Sequence, residues 1–156
     1  MAENYVLKSF RKLKYLPMGD WLFGKVISRR APYFGTISPR ITNVRPGMCE
    51  CLIKKRRGVE NHIGTVHVIA IANGLEMAMG TMAEASIPKH LRWIPKGMTL
   101  DYTAKAGSDI RCVAEVDQSA WQPGDMPVTV TAYDVNDTVV VKGTINLWIS
   151  EKPKKS

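Results

Sequence analysis

The stretch from Gly64 to Glu84, GTVHVIAIANGLEMAMGTMAE, is apolar around nearly the whole circumference of a helix. This pattern predicts a helix that is buried on all sides. A membrane span is the rival interpretation, but Asn73 and Glu76 lie near the centre, and an acidic residue there costs roughly 2.5 to 3.5 kcal/mol on insertion scales. We therefore predict a buried central helix and no membrane span. Gly74 and Gly80 each cost a helix about 1 kcal/mol, which close contact with a sheet would offset.

Segments in which apolar and polar residues alternate predict about six antiparallel strands before and after this helix. The expected strands occupy residues 40–45, 48–54, 98–106, 110–116, 128–135 and 139–149. In the third strand, the even-numbered residues from Met98 to Ala106 are all apolar, so they are expected to face the core while the residues between them face water. The sequence predicts an α+β domain in which one sheet covers one helix.

Residues 1–38 are interpreted as an N-terminal helical addition, with helices expected from Asn4 to Tyr15 and from Asp20 to Arg30. This segment lacks the continuous apolar core of a secretory signal, so we expect it to belong to the fold. Its first helix is basic and amphipathic and would suit a membrane surface, but packing on the domain itself is the commoner fate. Residues 1–156 are predicted to form a single domain, with its core at residues 39–150.

The net charge of +8 favours anionic partners. Nucleic acid is a weak candidate, because aromatic residues make up only 8% of the chain and do not interleave with its densest group of cations. That group, here called the basic cluster, consists of Lys54, Lys55, Arg56 and Arg57. We therefore expect no nucleic-acid partner.

The three cysteines predict a reduced, cytoplasmic protein. Cys49 and Cys51 lie two apart in a predicted strand, so they share one face and cannot form a disulfide with each other there. The three cysteines and three histidines show no metal-ligand spacing. No metal is expected.

Four residues around the start of the central helix resemble those of a known family. Asn61, Gly64 and His67 match the Asn-x-x-Gly-x-x-His motif of phenylacetate-pathway-type acyl-CoA thioesterases, and Glu76 matches the carboxylate on their central helix. The chain from Ile41 to Ile149 is similar in strand order to an uncharacterised bacterial hotdog family. The resemblance implies the hotdog fold, an antiparallel sheet wrapped around a long helix, and a site shared by two subunits of a homodimer. Assembly into a tetramer stays open.

Thioester hydrolysis requires a base or nucleophile and hydrogen-bond donors for the oxyanion. Glu76 is the candidate base or nucleophile. The backbone amides of Gly64, Thr65 and Val66, expected at the N-terminus of the helix, are the candidate oxyanion hole. Gly64 and Glu76 are 12 residues apart, or about 18 Å along the helix axis. One subunit therefore cannot bring both to a single carbonyl, whereas antiparallel helices in a dimer would.

Further residues are candidates for positioning the substrate, an acyl-CoA or a related acyl thioester. Asn61 would orient the attacking water or the thioester carbonyl, or only cap the helix. His67 is expected to bond to the backbone in a structural role or to contact substrate, and Asn73 is expected to contact substrate. The basic cluster would bind the phosphates of coenzyme A, or form a solvated strand end. Coenzyme A would enter as part of the substrate, so no separate cofactor is expected.

A second function stays open beside acyl-CoA hydrolysis. The histidine of the family motif is usually followed by two glycines, whereas Val68-Ile69 follow His67 in this sequence. Bulkier residues there restrict close approach of a ligand to the backbone. The alternative is a hotdog module that binds acyl groups or acyl-CoA without hydrolysing them.

Overall fold

The computed structural model describes residues 4–153, and residues 1–3 and 154–156 lie outside it. Within this range the helices are α1 (Tyr5–Leu13), α2 (Gly19–Arg30) and α3 (Val68–Ser86). The strands are β1 (Arg40–Arg45), β2 (Met48–Ile53), β3 (Leu91–Tyr102), β4 (Ile110–Glu115), β5 (Gly124–Tyr133) and β6 (Val139–Glu151). Short 3-10 segments occupy Pro32–Ile37, Arg57–Val59 and Gln118–Ala120.

The six strands form one antiparallel sheet in the order β1-β2-β4-β5-β6-β3. α3 packs against the inner face of this sheet. Alternate strand residues are buried there: in β5, Val128, Val130 and Ala132 are fully buried, whereas the residues between them are more exposed. A sheet wrapped around one buried helix is the hotdog fold, so the predicted fold and the predicted number of strands are confirmed.

The central helix begins at Val68, and the prediction that it begins at Gly64 is wrong. His67 is the N-cap residue, and its Nδ1 accepts a hydrogen bond from the Ile69 N–H at 3.1 Å. The N–H of His67 donates to the carbonyl of Val59 at 2.7 Å. This bond to an earlier segment holds the chain before Val68 in an extended path, so those residues cannot join the helix.

The close helix-to-sheet contact expected at Gly74 is present. A Cβ atom at Gly74 would lie 2.6 Å from Cδ1 of Ile53 and 2.9 Å from Sγ of Cys112, both closer than van der Waals contact. At Gly80 a Cβ atom would lie 3.5 Å from the Trp93 ring, an ordinary contact. Packing therefore requires glycine at the first position but does not require it at the second.

The N-terminal helices pack on the domain, as predicted. Val6, Phe10 and Phe23 are buried, and the two phenylalanine rings meet edge to face with their centroids 5.4 Å apart. Asn4 caps α1 and also donates a hydrogen bond from Nδ2 to the carbonyl of Glu84 in α3 at 2.7 Å. None of the helices within residues 4–153 has the length and apolarity needed to cross a membrane.

β3 departs furthest from the prediction. It begins at Leu91 rather than at Met98 and ends at Tyr102. It is an edge strand, because β6 pairs with one side and no described strand pairs with the other, and an edge position tolerates Pro95. Met98 and Tyr102, both predicted to face the core, are 37% and 65% exposed. An apolar strand edge is therefore open in the single chain.

The three cysteines are free and fully buried. Cys49 and Cys51 share the inner face of β2, as predicted, and Cys112 lies opposite Cys51 on β4. Burial raises the pKa of Cys51 to about 12 and raises the pKa values of Cys49 and Cys112 well above the usual thiol value. These thiols stay protonated and act as core residues rather than as nucleophiles.

Candidate active site

Glu76 lies in the middle of α3 on a face that the sheet does not fully cover. Ala72 and Gly80, one helical turn before and after it, are half-buried like Glu76 itself, whereas most other residues from Ile71 to Ala85 are buried. The Glu76 carboxylate has no hydrogen-bond or ion-pair partner within residues 4–153. A half-buried carboxylate without a partner gains no stabilising contact within the described chain, and its place on an otherwise apolar helix makes it a candidate for chemistry.

Asn61 organises the loop that precedes α3. Its Oδ1 accepts hydrogen bonds from the amides of Ile63 and Thr65, each at 3.1 Å, and its Nδ2 donates to Thr65 Oγ1 at 2.8 Å. Gly64 turns the chain with a φ of +75° and donates its N–H to the Asn61 carbonyl at 3.1 Å. Asn61 therefore stabilises a loop and is not the helix cap.

The predicted oxyanion hole has to be corrected. The amides of Gly64 and Thr65 are bonded to Asn61, and the Val66 N–H donates to the carbonyl of Ala106 at 2.8 Å. All three predicted donors are thus occupied within the chain. A charged oxygen could use them only by displacing these bonds, so the donors must lie elsewhere.

The unpaired amides at the start of α3 belong to Val68 and Ala70. Neither N–H has a partner in the described part of the chain, whereas the Ile69 N–H is taken by His67 Nδ1. The predicted bond of His67 to the backbone is thereby confirmed. Two free N–H groups at the positive end of a 19-residue helix suit an oxygen that carries negative charge. Sequence reasoning missed them only because it started the helix too early.

Acidic residues hold the first half of the basic cluster on the domain. Lys54 Nζ lies 2.7 Å from Asp109 Oδ2, and Asp109 Oδ1 accepts a hydrogen bond from the backbone N–H of Lys55 at 2.8 Å. Lys55 Nζ lies 2.9 Å from Glu60 Oε1. The hydrogen bond from Lys54 lowers the pKa of Asp109 below its usual value, against the opposing effect of desolvation.

Asp109→Asn is expected to lower the free energy of unfolding at neutral pH by about 1 kcal/mol, because the bonds to Lys54 and Lys55 lose their charge assistance and are partly screened by solvent. The pKa of Asp109 is lower in the folded than in the unfolded chain. Its contribution is therefore present above the unfolded-state pKa and is lost as the pH falls through the folded-state pKa. Urea unfolding of both proteins from neutral pH to about pH 2 should show their stabilities converging in acid. A difference that stays constant over this range would contradict the assignment.

The second half of the basic cluster adjoins the N-terminal segment. Arg56 Nη2 donates a hydrogen bond to the carbonyl of Thr36 at 2.9 Å. Arg57 is exposed, and its guanidinium has no partner in the range that the structure describes. Lys54 also keeps a side chain that is 55% exposed. The four predicted cations are adjacent in the chain, and Arg57 is the most available to a phosphate, because it is exposed and no contact among the described residues competes for its guanidinium.

A cavity of about 270 Å³ lies beside the start of α3 and is here called the N-terminal cavity. Its walls come from the 3-10 segment Pro32–Ile37, from residues 58–60 and from the first turns of α3. His67 and Asn73, both predicted to contact substrate, line it. The sequence did not indicate that Tyr33 and Thr36 would join them, because only the tertiary fold brings the N-terminal segment to this end of the helix.

Comparison with protein families matches residues 19–149 to the model described as Domain of unknown function (DUF4442). The matched range begins at α2 and includes α3 and nearly the whole sheet. A comparison with curated proteins gave no significant match.

Solved structures with the same fold extend this result. A protein designated APC5556 is 42% identical, with a TM-score of 0.84, and the match covers 95% of this chain and 99% of that one. PA5026 from Pseudomonas aeruginosa, a protein of unknown function described as a probable thioesterase, is 20% identical with a TM-score of 0.76, over 88% of this chain and 97% of that one. Thioesterase HI1161 from Haemophilus influenzae is 8% identical with a TM-score of 0.71, over 89% and 94%. Because these two identities are low, the last two likenesses show only a shared fold. It is the hotdog fold that the sequence motif implied.

Proposed function

Because the chain belongs to the family described as Domain of unknown function (DUF4442), we propose its activity from the candidate active site alone. The proposed activity is hydrolysis of an acyl-CoA thioester. The observation that carries this proposal is Glu76, a half-buried carboxylate on the central helix with no partner in the described residues. Neighbours described as thioesterases share the fold, which supports an acyl thioester as the class of substrate. The free cysteines support the cytoplasm as the place of action.

In the proposed reaction Glu76 acts as general base. It removes a proton from a water molecule, whose oxygen attacks the carbonyl carbon of the thioester. The carbonyl oxygen becomes negatively charged and accepts hydrogen bonds from the N–H groups of Val68 and Ala70. The C–S bond then breaks, and the proton held by Glu76 passes to the departing sulfur, which leaves a carboxylic acid and free coenzyme A. Direct attack by the Glu76 carboxylate is the alternative, and it would use the same amides.

The proposed site needs two chains. Val68 and Glu76 are eight residues apart, or about 12 Å along α3, so the amides and the carboxylate of one helix cannot meet at a single carbonyl. A homodimer with antiparallel central helices would bring Glu76 of one chain to the amides of the other and form two equivalent sites. The 12-residue edge strand β3 is the proposed contact, because no strand of residues 4–153 pairs with its outer edge and its side chains Met98 and Tyr102 are exposed.

Met98→Lys is expected to raise the dissociation constant of this dimer at least about tenfold, because the interface would bury a charge without a partner. Met98 lies opposite the buried Ile145 of β6, which places it on the face of β3 that is directed toward α3. Thr99→Lys adds the same charge to the opposite face and is the matched control. Sedimentation at several protein concentrations measures the effect. If Met98→Lys dimerises as tightly as the control, this face is not the interface.

Coenzyme A would bind through its phosphates at the accessible part of the basic cluster. The guanidinium of Arg57 has no partner among the described residues, and Lys54 is more than half exposed although it pairs with Asp109. Both lie a few residues before the loop that leads into α3. Arginine and lysine at such a position suit the charged groups of coenzyme A, while the thioester reaches the amides of Val68 and Ala70.

The direct test is hydrolysis of a panel of short, medium, long and aromatic acyl-CoA esters, measured as release of the coenzyme A thiol. The proposal expects turnover of at least one ester by the purified dimer. A dimer that cleaves none of them would contradict it and favour the second candidate, a module that binds acyl groups without hydrolysis. That candidate rests on Val68-Ile69, whose side chains stand where the resembling family has two glycines. Calorimetric binding of acyl-CoA without turnover would support it.

A further inference from the structure

Asn73 leaves a buried hydrogen-bond acceptor unsatisfied at the N-terminal cavity. Its side chain lines the cavity, and the residue is only 6% exposed. Nδ2 donates to the carbonyl of Tyr33 at 3.3 Å and to Thr36 Oγ1 at 3.1 Å, while Oδ1 has no partner among the described residues. Buried oxygens of this kind are almost always paired in folded proteins, so an unpaired one indicates that a group from outside the chain completes it.

The neighbours of Asn73 fix the orientation of its carboxamide and cannot supply the missing donor. The carbonyl of Tyr33 only accepts hydrogen bonds, so the amino end of Asn73 has to face it. The Thr36 hydroxyl donates its proton to this same carbonyl at 2.7 Å and accepts from Asn73. The Thr36 proton is therefore already used, and Oδ1 is left to accept a hydrogen bond from a group outside the described residues.

The size of the cavity limits what that ligand can be. Pockets for drug-sized ligands measure roughly 300 to 1,000 Å³. A cavity of about 270 Å³ lies just below this range, so it suits a short acyl group rather than a whole acyl-CoA. Ile37, Val59 and Ala70 make part of the wall apolar. Asn73 lies three residues beyond Ala70, or about 4.5 Å along the helix, so a group bound at Oδ1 is a few bonds from a carbonyl at the free amides.

We propose that the N-terminal cavity is the acyl pocket of this protein and that Asn73 Oδ1 accepts a hydrogen bond from a hydroxyl group on a short acyl chain. This inference rests on the proposed thioester hydrolysis and names its substrates, which are short hydroxyacyl-CoA esters. A hydroxylated chain satisfies Oδ1, whereas an unsubstituted chain of the same length leaves it buried and unpaired. Sites that hydrogen-bond a substrate hydroxyl discriminate strongly against the analogue without it. The 3-10 segment Pro32–Ile37 then determines specificity, because it holds the carboxamide in place.

The test compares hexanoyl-CoA with its β-hydroxy and δ-hydroxy forms. For the wild type, kcat/KM for at least one hydroxylated ester should exceed that for hexanoyl-CoA by about tenfold or more. Asn73→Leu should bring this ratio to about one, because leucine offers no acceptor. Asn43→Leu makes the same substitution at an exposed position of β1 outside the cavity lining, so it is the matched control and should preserve the preference. A ratio cancels losses of folding or general activity common to both esters, so a purely structural role for Asn73 would leave it unchanged.

Two outcomes separate this inference from the proposed reaction. If hexanoyl-CoA is hydrolysed as well as both hydroxylated forms, or if Asn73→Leu retains the wild-type ratio, the pocket assignment is overturned while hydrolysis stands. If no ester is hydrolysed, the proposed hydrolysis is wrong. The dissociation constants of the same three esters, measured by calorimetry, still test the pocket. Equal constants for all three would overturn it, and tighter binding of a hydroxylated ester that is lost in Asn73→Leu would support it.

Discussion

Glu76→Gln is expected to lower kcat for acyl-CoA hydrolysis by about two to four orders of magnitude, the usual contribution of a general base. Glutamine has nearly the same shape but cannot take the proton of the attacking water. Because Glu76 makes no hydrogen bond or ion pair in the described chain, the substitution removes no interaction that holds the fold together. Release of the coenzyme A thiol measures the rate, and thermal unfolding of both proteins should coincide closely.

Glu84→Gln is the matched control for this experiment. Glu84 is the other carboxylate of α3, two turns beyond Glu76, and its Oε1 accepts a hydrogen bond from Trp93 Nε1 at 2.9 Å. It lies away from the free amides, and glutamine can still accept the tryptophan hydrogen bond, so its hydrolysis rate should match the wild type. If Glu76→Gln also retains the wild-type rate, Glu76 is neither base nor nucleophile.

Val68→Pro is expected to reduce kcat/KM by about two to three orders of magnitude, the effect of losing one oxyanion donor. Proline has no N–H, and the N–H of Val68 has no partner in the described residues, so the substitution breaks no backbone hydrogen bond. Proline is favoured at the first position of a helix. The preceding residue, His67, has φ −63° and ψ 134°, which suits a residue before proline. Folding stability should therefore change by no more than about 1 kcal/mol.

Val68→Ala separates the loss of the amide from the loss of the valine side chain. Alanine keeps the N–H, so this variant should retain most of the wild-type kcat/KM while Val68→Pro does not. Kinetics and urea unfolding of the two variants side by side provide the measurement. Equal activity of the two variants would mean that other groups stabilise the oxyanion. The role of Glu76 would then be tested by Glu76→Gln alone.

The interior of the fold was predictable because burial leaves a clear pattern in the sequence. α3 is apolar on nearly all sides, and β5 and the part of β6 from Ile145 onward alternate residue by residue. The first half of β3 has no such pattern, since Pro95, Lys96 and Gly97 interrupt the alternation. Backbone pairing with β6 holds this edge strand, and little of it is buried. Sequence periodicity reports burial, so it misses a strand that is held mainly by its backbone.

The start of α3 was not predictable from local sequence. Thr65 and Val66 are as compatible with the apolar helical pattern as the residues that follow them. The helix cannot extend before Val68, because the amides of Val66 and His67 donate to the carbonyls of Ala106 and Val59. Ala106 lies 40 residues after Val66, so no local window of the sequence contains both partners of the first of these bonds.

The residues of the candidate site also differ in how far the sequence predicts them. Glu76 could be found because a charged residue stands out in an apolar helix. Asn73 is also among the residues predicted to contact substrate, but its unpaired oxygen was not predictable. Tyr33 and Thr36, whose polar atoms bond only the amino end of its carboxamide, lie some forty residues earlier. A sequence shows which residues have reactive groups, but it does not show which tertiary contacts leave one atom of such a residue without a partner.

The three cysteine thiols of β2 and β4 do not react with oxidants or alkylating reagents while the molecule is folded, because only an accessible thiolate reacts at an appreciable rate. A reagent reaches Cys49, Cys51 or Cys112 only after the sheet has parted from α3. A label on any of them therefore shows that the sheet around β2 and β4 has opened, and the labelling rate measures how often this opening occurs.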